Sequence, residues 1–232
     1  MRTSDLPEVR ELRLFESMQE DNFEEILSGA YLQKFPSQVQ LITEGDRADF
    51  LFIVIEGSVE LFATANGRES TMTIVRPVSS FILAAVLKDA VCLMSARTYK
   101  NSRVLMIPAQ NIRDAFNKDD TFARAIVMEL ANCYRGVVKE HKNLKLRTAV
   151  ERLANRLLKI HSDQGAKGSI VLPLDKKTLA AILGMTPENL SRAFGTLRPY
   201  GVLVDGSHVI FNDIKALETL AKPTWLIDDR TI

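Results

Sequence analysis

The sequence predicts an α+β protein: an N-terminal antiparallel β-roll, a long helix and a C-terminal winged helix-turn-helix. Three observations predict this order: short β-rich runs separated by Gly-bearing turns, a heptad pattern of apolar residues, and two short helices joined by a turn that contains Gly. Each pattern is typical of the element that it predicts. We expect a β-roll domain over 1–110, a helix and hinge over 111–146, and a winged-helix domain over 147–232.

The predicted roll follows a stretch between Asp5 and Ala30 whose apolar spacing indicates one or two short amphipathic helices. From Tyr31 to Pro108 the chain consists of short β-rich runs with turn residues between them, and Asn66-Gly67 has the composition of a hairpin turn. The clearest predicted strands are Leu51–Ile55, Val59–Ala63, Thr71–Val75 and Arg103–Pro108.

A long helical pattern begins near Asn111 and continues past His141. Its residues at alternating intervals of three and four form a heptad seam: Val127, Leu130, Tyr134, Val137, His141 and Leu144. A helix that lies on its own domain needs a wider apolar stripe than this, so we expect the seam to be that of a parallel homodimer. Residues 111–146 would then be a dimerisation helix and hinge; packing against the chain's own β-roll is the alternative.

The strongest local signal lies between residues 175 and 203. Asp175 is a good N-cap for a short helix that ends near Leu183, and Gly184 provides a left-handed stop. Thr186 then caps a second helix whose first residue is Pro187. This pattern predicts a helix-turn-helix, and the following run 202–211 predicts the β-hairpin of a wing.

The second helix of such a motif enters the DNA major groove with its N-terminal residues leading. Glu188, Ser191 and Arg192 are therefore the candidate base-reading residues, since Arg can donate to guanine and Glu can accept from cytosine. The alternative is an ordinary Glu188–Arg192 pair on a solvent-facing helix. The candidate contacts to the DNA backbone are Lys176, Lys177, Thr186, Asn189 and Arg198, together with the basic stretch 135–159.

The distribution of charge favours a nucleic-acid partner. The net charge is only +1, but residues 1–75 carry 14 acidic against 6 basic side chains. Residues 135–200 carry 13 basic against 5 acidic ones. Such asymmetry predicts a polyanion, here double-stranded DNA, as the partner of the basic part.

Other classes of function fit the sequence poorly. Two cysteines and three scattered histidines do not provide the ligands of a metal or iron–sulfur site, and residues 31–108 contain no histidine for a metal-dependent roll enzyme. We expect a protein that is not an enzyme. No apolar run reaches the length of a membrane span and no signal peptide is visible, so we expect a cytoplasmic protein without membrane contact.

The chain resembles the CRP/FNR family of transcription regulators. The resemblance is carried by Glu44-Gly45-Asp46, the hairpin 55–61, Ile107-Pro108 and the recognition helix 187–192, which has the E-x-x-S-R pattern of the FNR-like branch. It implies a homodimeric, sequence-specific DNA-binding regulator that acts with RNA polymerase and has a cyclic-nucleotide-binding-like sensor roll. It also implies that Glu188, Ser191 and Arg192 read a TTGAT-type half-site repeated as a palindrome.

The predicted effector pocket departs from the family's cyclic-nucleotide pattern. Ile82 and Leu83 stand where those members have Gly-Glu, and Met94 stands where they have the phosphate-binding Arg. A buried phosphate without its Arg would be strongly unfavourable, so we expect no response to cyclic AMP. An iron–sulfur cluster is also not expected, because residues 1–91 contain no cysteine. The predicted pocket consists of Phe81, Ile82, Leu83, Met94 and Ser95.

Within the family the sequence is most similar to the NnrR/DNR-like regulators, which respond to nitric oxide. This resemblance implies control of nitrogen-oxide, denitrification or low-oxygen genes through a small apolar effector or a gas bound to haem. The candidate haem ligands are Cys92, Met94, Tyr99 and His141. The alternatives are a FixK-like, effector-independent regulator, modulated by oxidation of Cys92 or Cys133, and a cyclic-nucleotide regulator with an atypical pocket.

Overall fold

The computed structural model describes residues 2–229, which form two compact units. The units divide between Cys133 and Tyr134, inside the long helix. Within the described part of the chain, no helix is both long and apolar enough to cross a membrane.

The N-terminal unit is a β-roll flanked by helices, as predicted. Asn66 and Gly67 both have positive φ, the conformation that a two-residue hairpin turn requires. The elements of the unit are α1 (Leu6–Arg10), α2 (Glu20–Ile26), β1 (Tyr31–Phe35), β2 (Gln40–Ile42), β3 (Phe50–Glu56), β4 (Val59–Ala65), β5 (Arg68–Val75), β6 (Ser79–Phe81), α3 (Leu83–Lys88), β7 (Ser95–Thr98), β8 (Ser102–Pro108) and α4 (Ala109–Lys118), followed by the first half of α5 (Asp120–Leu146).

Two four-stranded antiparallel sheets build the roll, in the orders β1-β8-β3-β6 and β2-β7-β4-β5. The central strand β3 is buried over five consecutive residues, Leu51 to Ile55, because both of its faces are covered. Phe122 and Ile126 on the first turns of α5 are fully buried in the same core. The start of the long helix is therefore fixed to the roll by apolar packing.

The predicted single helix from Asn111 past His141 is wrong in one respect: it is divided at Asp119, where the backbone is extended. The Asp119 carboxylate caps α5 by accepting hydrogen bonds from the backbone N–H groups of Thr121 and Phe122, each at 3.0 Å. It also accepts from the Gln19 N–H at 3.1 Å and the Asn22 amide at 2.9 Å. These partners come from another helix far away in sequence, so local helical periodicity could not reveal the break.

Substitution of Asp119 tests how much its cap at the start of α5 stabilises the fold. Burial acts to raise the pKa of Asp119, but the hydrogen bonds from Thr121, Phe122, Asn22 and Gln19 outweigh it and hold the pKa well below its ordinary value. We expect Asp119→Asn to lower the free energy of unfolding of the N-terminal unit by about 2–3 kcal/mol. The N–H₂ group of the asparagine would replace one carboxylate oxygen and would point at N–H groups that need an acceptor.

The ionised form of Asp119 stabilises the fold fully above its unfolded-chain pKa, near 4, and this contribution is lost as the pH falls further. The difference between wild type and Asp119→Asn, measured by calorimetry, should therefore narrow below a pH of about 4. Asp120→Asn changes an exposed neighbour and is the control. Equal effects of the two substitutions would contradict this account of the cap.

The C-terminal unit is a helical domain with a three-stranded antiparallel sheet in the order β10-β11-β9. The break between α5 and α6 lies at Arg147-Thr148, directly after the predicted helix and hinge 111–146, and Thr148 and Glu151 form a capping box there. The elements after α5 are α6 (Ala149–Asp163), β9 (Ser169–Val171), α7 (Lys176–Ile182), α8 (Pro187–Leu197), β10 (Val202–Asp205), β11 (His208–Phe211), α9 (Ile214–Ala221) and α10 (Trp225–Asp228).

Candidate nucleic-acid interface

The helix-turn-helix is built as the sequence predicts. Asp175 caps α7 by accepting from the Thr178 N–H at 2.9 Å, and Thr186 caps α8 by accepting from the Asn189 N–H at 3.3 Å. Gly184, with φ of +61°, provides the left-handed residue between the two helices. The turn therefore fixes the direction in which α8 leaves α7.

Helix α8 has one buried and one exposed face. Leu190, Ala193, Phe194 and Leu197 are buried in the core of the C-terminal unit. Glu188, Ser191 and Arg192 are exposed on the opposite side. The structure thus places the three predicted base-reading side chains together on the solvent face, at the N-terminal end of the helix.

The carboxyl group of Glu188 is held in its ionised form. Its own backbone N–H and the Thr186 hydroxyl, assisted by the charge of Arg192, keep the pKa of Glu188 below its ordinary value. A carboxylate in the first turn of a helix is also stabilised by the helix dipole. Glu188 is therefore a hydrogen-bond acceptor at neutral pH, as readout of a base amino group requires.

The predicted contacts to the DNA backbone fall at the edges of this face. Lys176 and Lys177 are exposed at the start of α7, Asn189 is exposed in the first turn of α8, and Arg198 is exposed at its end. Thr186 is exposed as well, but its hydroxyl oxygen already accepts the capping hydrogen bond. Strands β10 and β11 form the predicted wing beside these residues.

Two arginines within the basic stretch 135–159 have structural roles instead. The Arg147 side chain is only 7% exposed and donates to both carboxylate oxygens of Asp228, at 2.8 and 2.5 Å. Arg152 donates to the backbone carbonyls of Arg147 and Leu183, at 2.7 and 2.8 Å. The expectation that this whole stretch contacts phosphates is therefore wrong for Arg147 and Arg152. The guanidinium group of Arg147 binds Asp228 of α10, and that of Arg152 binds the backbone at the end of α7.

The heptad seam of α5 is largely uncovered in the single chain. Tyr134 is 71% exposed, Val137 67% and Val127 55%, which is unusual for side chains of this size. Leu144 and His141 are exposed too, whereas Leu130 is partly buried against the core of the roll. An exposed apolar stripe at heptad spacing has the form of a helix–helix interface.

Comparison with known protein families agrees with this architecture. A model of the cyclic nucleotide-binding domain matches residues 32–119, and a model of the Crp-like helix-turn-helix domain matches residues 151–220. The chain belongs to the CRP/FNR family. It is a DNA-binding transcription regulator of the CRP/FNR type.

Individual relatives of the regulator are distant. A CRP-like cAMP-activated global transcriptional regulator of Mycobacterium tuberculosis is 22% identical over 194 residues, 81% of this chain and 87% of the relative. An anaerobic regulatory protein of Pasteurella multocida is 27% identical over 199 residues, 81% of this chain and 70% of the relative. The structure of FixK2 from Bradyrhizobium japonicum matches with a TM-score of 0.70 at 21% identity, over 84% of this chain and 98% of that one. This last likeness shows the fold.

Phe81, Leu83 and Ser95 of the predicted effector pocket are buried in this regulator, whereas Ile82 and Met94 are partly buried. Phe81 is buried and stacks on Phe52 with ring centroids 5.2 Å apart, and Leu83 is buried at the start of α3. Ile82 has φ of +60°, a left-handed conformation that glycine adopts more readily than isoleucine. The family's cyclic-nucleotide pattern has glycine at this position. The hydroxyl oxygen of Ser95 accepts a hydrogen bond from the Glu44 N–H at 2.9 Å.

Arg97, the arginine nearest to Met94 in sequence, is held by carboxylates. Its guanidinium donates to Glu60 at 2.7 Å and to Glu69 at 2.8 Å, and it lies over the Phe62 ring at 4.2 Å. A phosphate would have to displace these partners to take the place of the family's Arg–phosphate pair.

The four candidate haem ligands differ in their surroundings. Cys92 is buried, and burial, reinforced by Asp46 and Asp49, raises the pKa of its thiol, which opposes a thiolate ligand. Met94 is partly buried against the core of the roll, Tyr99 is partly buried after β7, and His141 belongs to the C-terminal unit. In the described part of the chain, no group of three His, Cys, Asp or Glu side chains could hold a metal ion.

Proposed function

We propose that this chain is a homodimeric transcription regulator that reads a TTGAT-type palindrome with Glu188, Ser191 and Arg192. The observation that carries this proposal is the exposed N-terminal face of α8, on which these three side chains stand while the opposite face is buried. Arg192 would donate to guanine O6 and N7, Glu188 would accept from a cytosine amino group, and Ser191 would contact a thymine edge.

Dimerisation through the α5 seam supports recognition of a palindrome. A two-fold dimer presents two α8 helices, which fit half-sites about one helical turn apart, roughly 34 Å. Pairing along the seam would cover the exposed Tyr134 and Val137, which the single chain leaves in water.

Fluorescence anisotropy with labelled duplexes tests this function. We expect tight binding to a TTGAT/ATCAA inverted repeat with a spacer of about 3–6 base pairs, and binding weaker by about a thousandfold to a scrambled duplex. Equal affinity for both duplexes would contradict the proposal. The salt concentration must be the same in all titrations, because phosphate contacts make the affinity strongly salt-dependent.

We further propose that the regulator controls nitrogen-oxide or low-oxygen genes together with RNA polymerase. The 27% identical Pasteurella multocida relative is an anaerobic regulatory protein, which supports this assignment. A contact that could carry a signal lies within the N-terminal unit: Ser80, next to Phe81, donates to Glu129 of α5 at 3.3 Å. A ligand that binds one arrangement of β6 and α5 better than another would shift the population between them.

Independence of cyclic AMP is supported by Leu83 and Met94 at the positions of the missing Glu and Arg, and by the engagement of Arg97 with Glu60 and Glu69. The Mycobacterium tuberculosis relative is cAMP-activated, which keeps a cyclic-nucleotide regulator with an atypical pocket as one alternative. The burial of Leu83 and the stacking of Phe81 on Phe52 favour the other alternative, a FixK-like regulator that needs no effector.

A haem-bound gaseous effector stays a proposal that rests on the apolar lining of the roll. The donor set fits haem poorly, because burial raises the pKa of the Cys92 thiol; the other candidates in the N-terminal unit are Met94 and Tyr99, both partly buried. Anaerobic reconstitution with haem, followed by absorption spectroscopy, tests it beside a calorimetric titration with cAMP. If haem is the sensor, we expect a Soret band; its absence would leave the effector-independent alternative. If the regulator is independent of cAMP, the titration should give no saturable heat, and saturable binding of cAMP would contradict that independence.

A further inference from the structure

Gly195 is an exposed glycine within a regular helix. It lies in the eleven-residue helix α8, two residues before its end. A Cβ atom added at Gly195 would have no other atom within 4 Å, and its backbone is not left-handed. Within residues 2–229, which the structure describes, no contact therefore requires the absence of a side chain at this position.

Two other glycines of the C-terminal unit, Gly184 and Gly201, are required by the structure around them. Gly184 has φ of +61° and a Cβ there would lie 2.8 Å from Leu144. Gly201 has φ of +78° and a Cβ would lie 2.5 Å from the Asp213 nitrogen. Gly195 has neither a left-handed backbone nor a close neighbour, although glycine is among the least favourable residues inside a helix.

The position of Gly195 connects it to the candidate DNA-reading face. It follows Ser191 by four residues and Arg192 by three, so all three share one side of the helix. The neighbouring Thr196 hydroxyl donates to the Arg192 carbonyl at 3.1 Å, which turns it toward the helix backbone. The helix therefore has no side chain at Gly195, which lies one turn beyond Arg192 and two turns beyond Glu188.

We propose that Gly195 sets the depth at which α8 enters the major groove, by letting the helix backbone lie directly against the sugar–phosphate wall. The major groove is about 12 Å wide and a helix with its side chains is about 10–12 Å across, so little room remains at the wall. A side chain at 195 holds the helix away and withdraws Glu188, Ser191 and Arg192 from the base edges. This inference rests on the proposed function, because it requires that α8 binds DNA.

Gly195→Ala tests the inference with a change that favours the fold. Alanine is the better helix former, so we expect the temperature of unfolding to rise by about 2–4 °C. We expect affinity for the TTGAT palindrome to fall by about 5- to 150-fold, the cost of overfilling a close contact, with a greater loss for Gly195→Leu. Affinity for a scrambled duplex should change less, because non-specific binding does not require contact with the base edges.

Gly136→Ala is the matched control. Gly136 is also an exposed helical glycine with no atom within 4 Å of an added Cβ, but it lies in α5, off the heptad seam. It should gain stability and keep wild-type affinity for the palindrome. Equal losses of affinity in the two variants would overturn the inference, because helix stiffness would then be the cause.

The same titrations separate this inference from the proposed function. Wild-type affinity of Gly195→Ala for the palindrome, together with lost preference in Arg192→Ala, would overturn the role of Gly195 and leave the proposed function standing. Failure of the wild-type protein to prefer the palindrome would overturn the proposed function itself.

Discussion

Val137→Glu is expected to convert the dimer into a monomer and to weaken binding to the palindrome by about 100-fold or more. Val137 is 67% exposed in the single chain and lies at the centre of the predicted seam. A two-fold axis along α5 would place two added carboxylates near each other in an apolar interface, where neither has a partner. A monomer binds each half-site independently. It therefore loses the gain in affinity that a dimer obtains when binding of one α8 helix holds the second close to its own half-site.

Sedimentation velocity and anisotropy together measure this result. Val137→Glu should sediment with the mass of one chain, 26.0 kDa, while the wild type sediments as two. Asn132→Glu adds the same charge at an exposed position on the outer side of the heptad, so it should remain dimeric. A dimeric Val137→Glu protein would show that the seam is not the interface.

Arg192→Ala is expected to abolish most of the sequence preference while the protein stays dimeric and folded. One good base contact is worth about 1–3 kcal/mol, and a symmetric dimer makes it twice, so the loss should reach about 2–6 kcal/mol per operator. Arg192 is exposed and its removal leaves the buried face of α8 intact, so the unfolding temperature should not change.

Lys177→Ala is the control that separates base readout from attraction to phosphate. Lys177 is exposed at the start of α7, outside the helix α8 that carries the residues assigned to base reading. It should weaken binding to all duplexes alike and reduce the salt dependence by about one counterion per half-site. If Arg192→Ala behaved in this uniform way, the assignment of Arg192 to a base would be wrong.

The parts of the fold that depend on neighbouring residues could be predicted from the sequence. The caps Asp175 and Thr186 and the stop at Gly184 each act within three or four residues, and all three lie where the pattern placed them. The hairpin at Asn66-Gly67 is local in the same sense. Heptad spacing also predicts an apolar stripe along α5, most of which is exposed in the single chain, because a helix repeats its faces at fixed intervals.

The features that sequence reasoning missed depend on contacts between distant residues. The helix break at Asp119 is stabilised by Gln19 and Asn22, about a hundred positions earlier. Arg147 pairs with Asp228, which is 81 positions later in the sequence. A basic residue that the sequence assigned to DNA phosphates therefore binds a carboxylate of the same chain. Gly195 was visible as a glycine in an amphipathic helix, but only the structure shows that no neighbour accounts for it.

Native mass spectrometry of the wild-type protein with one-half-site and two-half-site duplexes tests the central claim most directly. The claim is that two copies of the chain place paired α8 helices on one palindrome. It predicts two chains per palindromic duplex and a marked loss of complex when either half-site is scrambled. One chain per duplex, with equal binding to both DNAs, would contradict it.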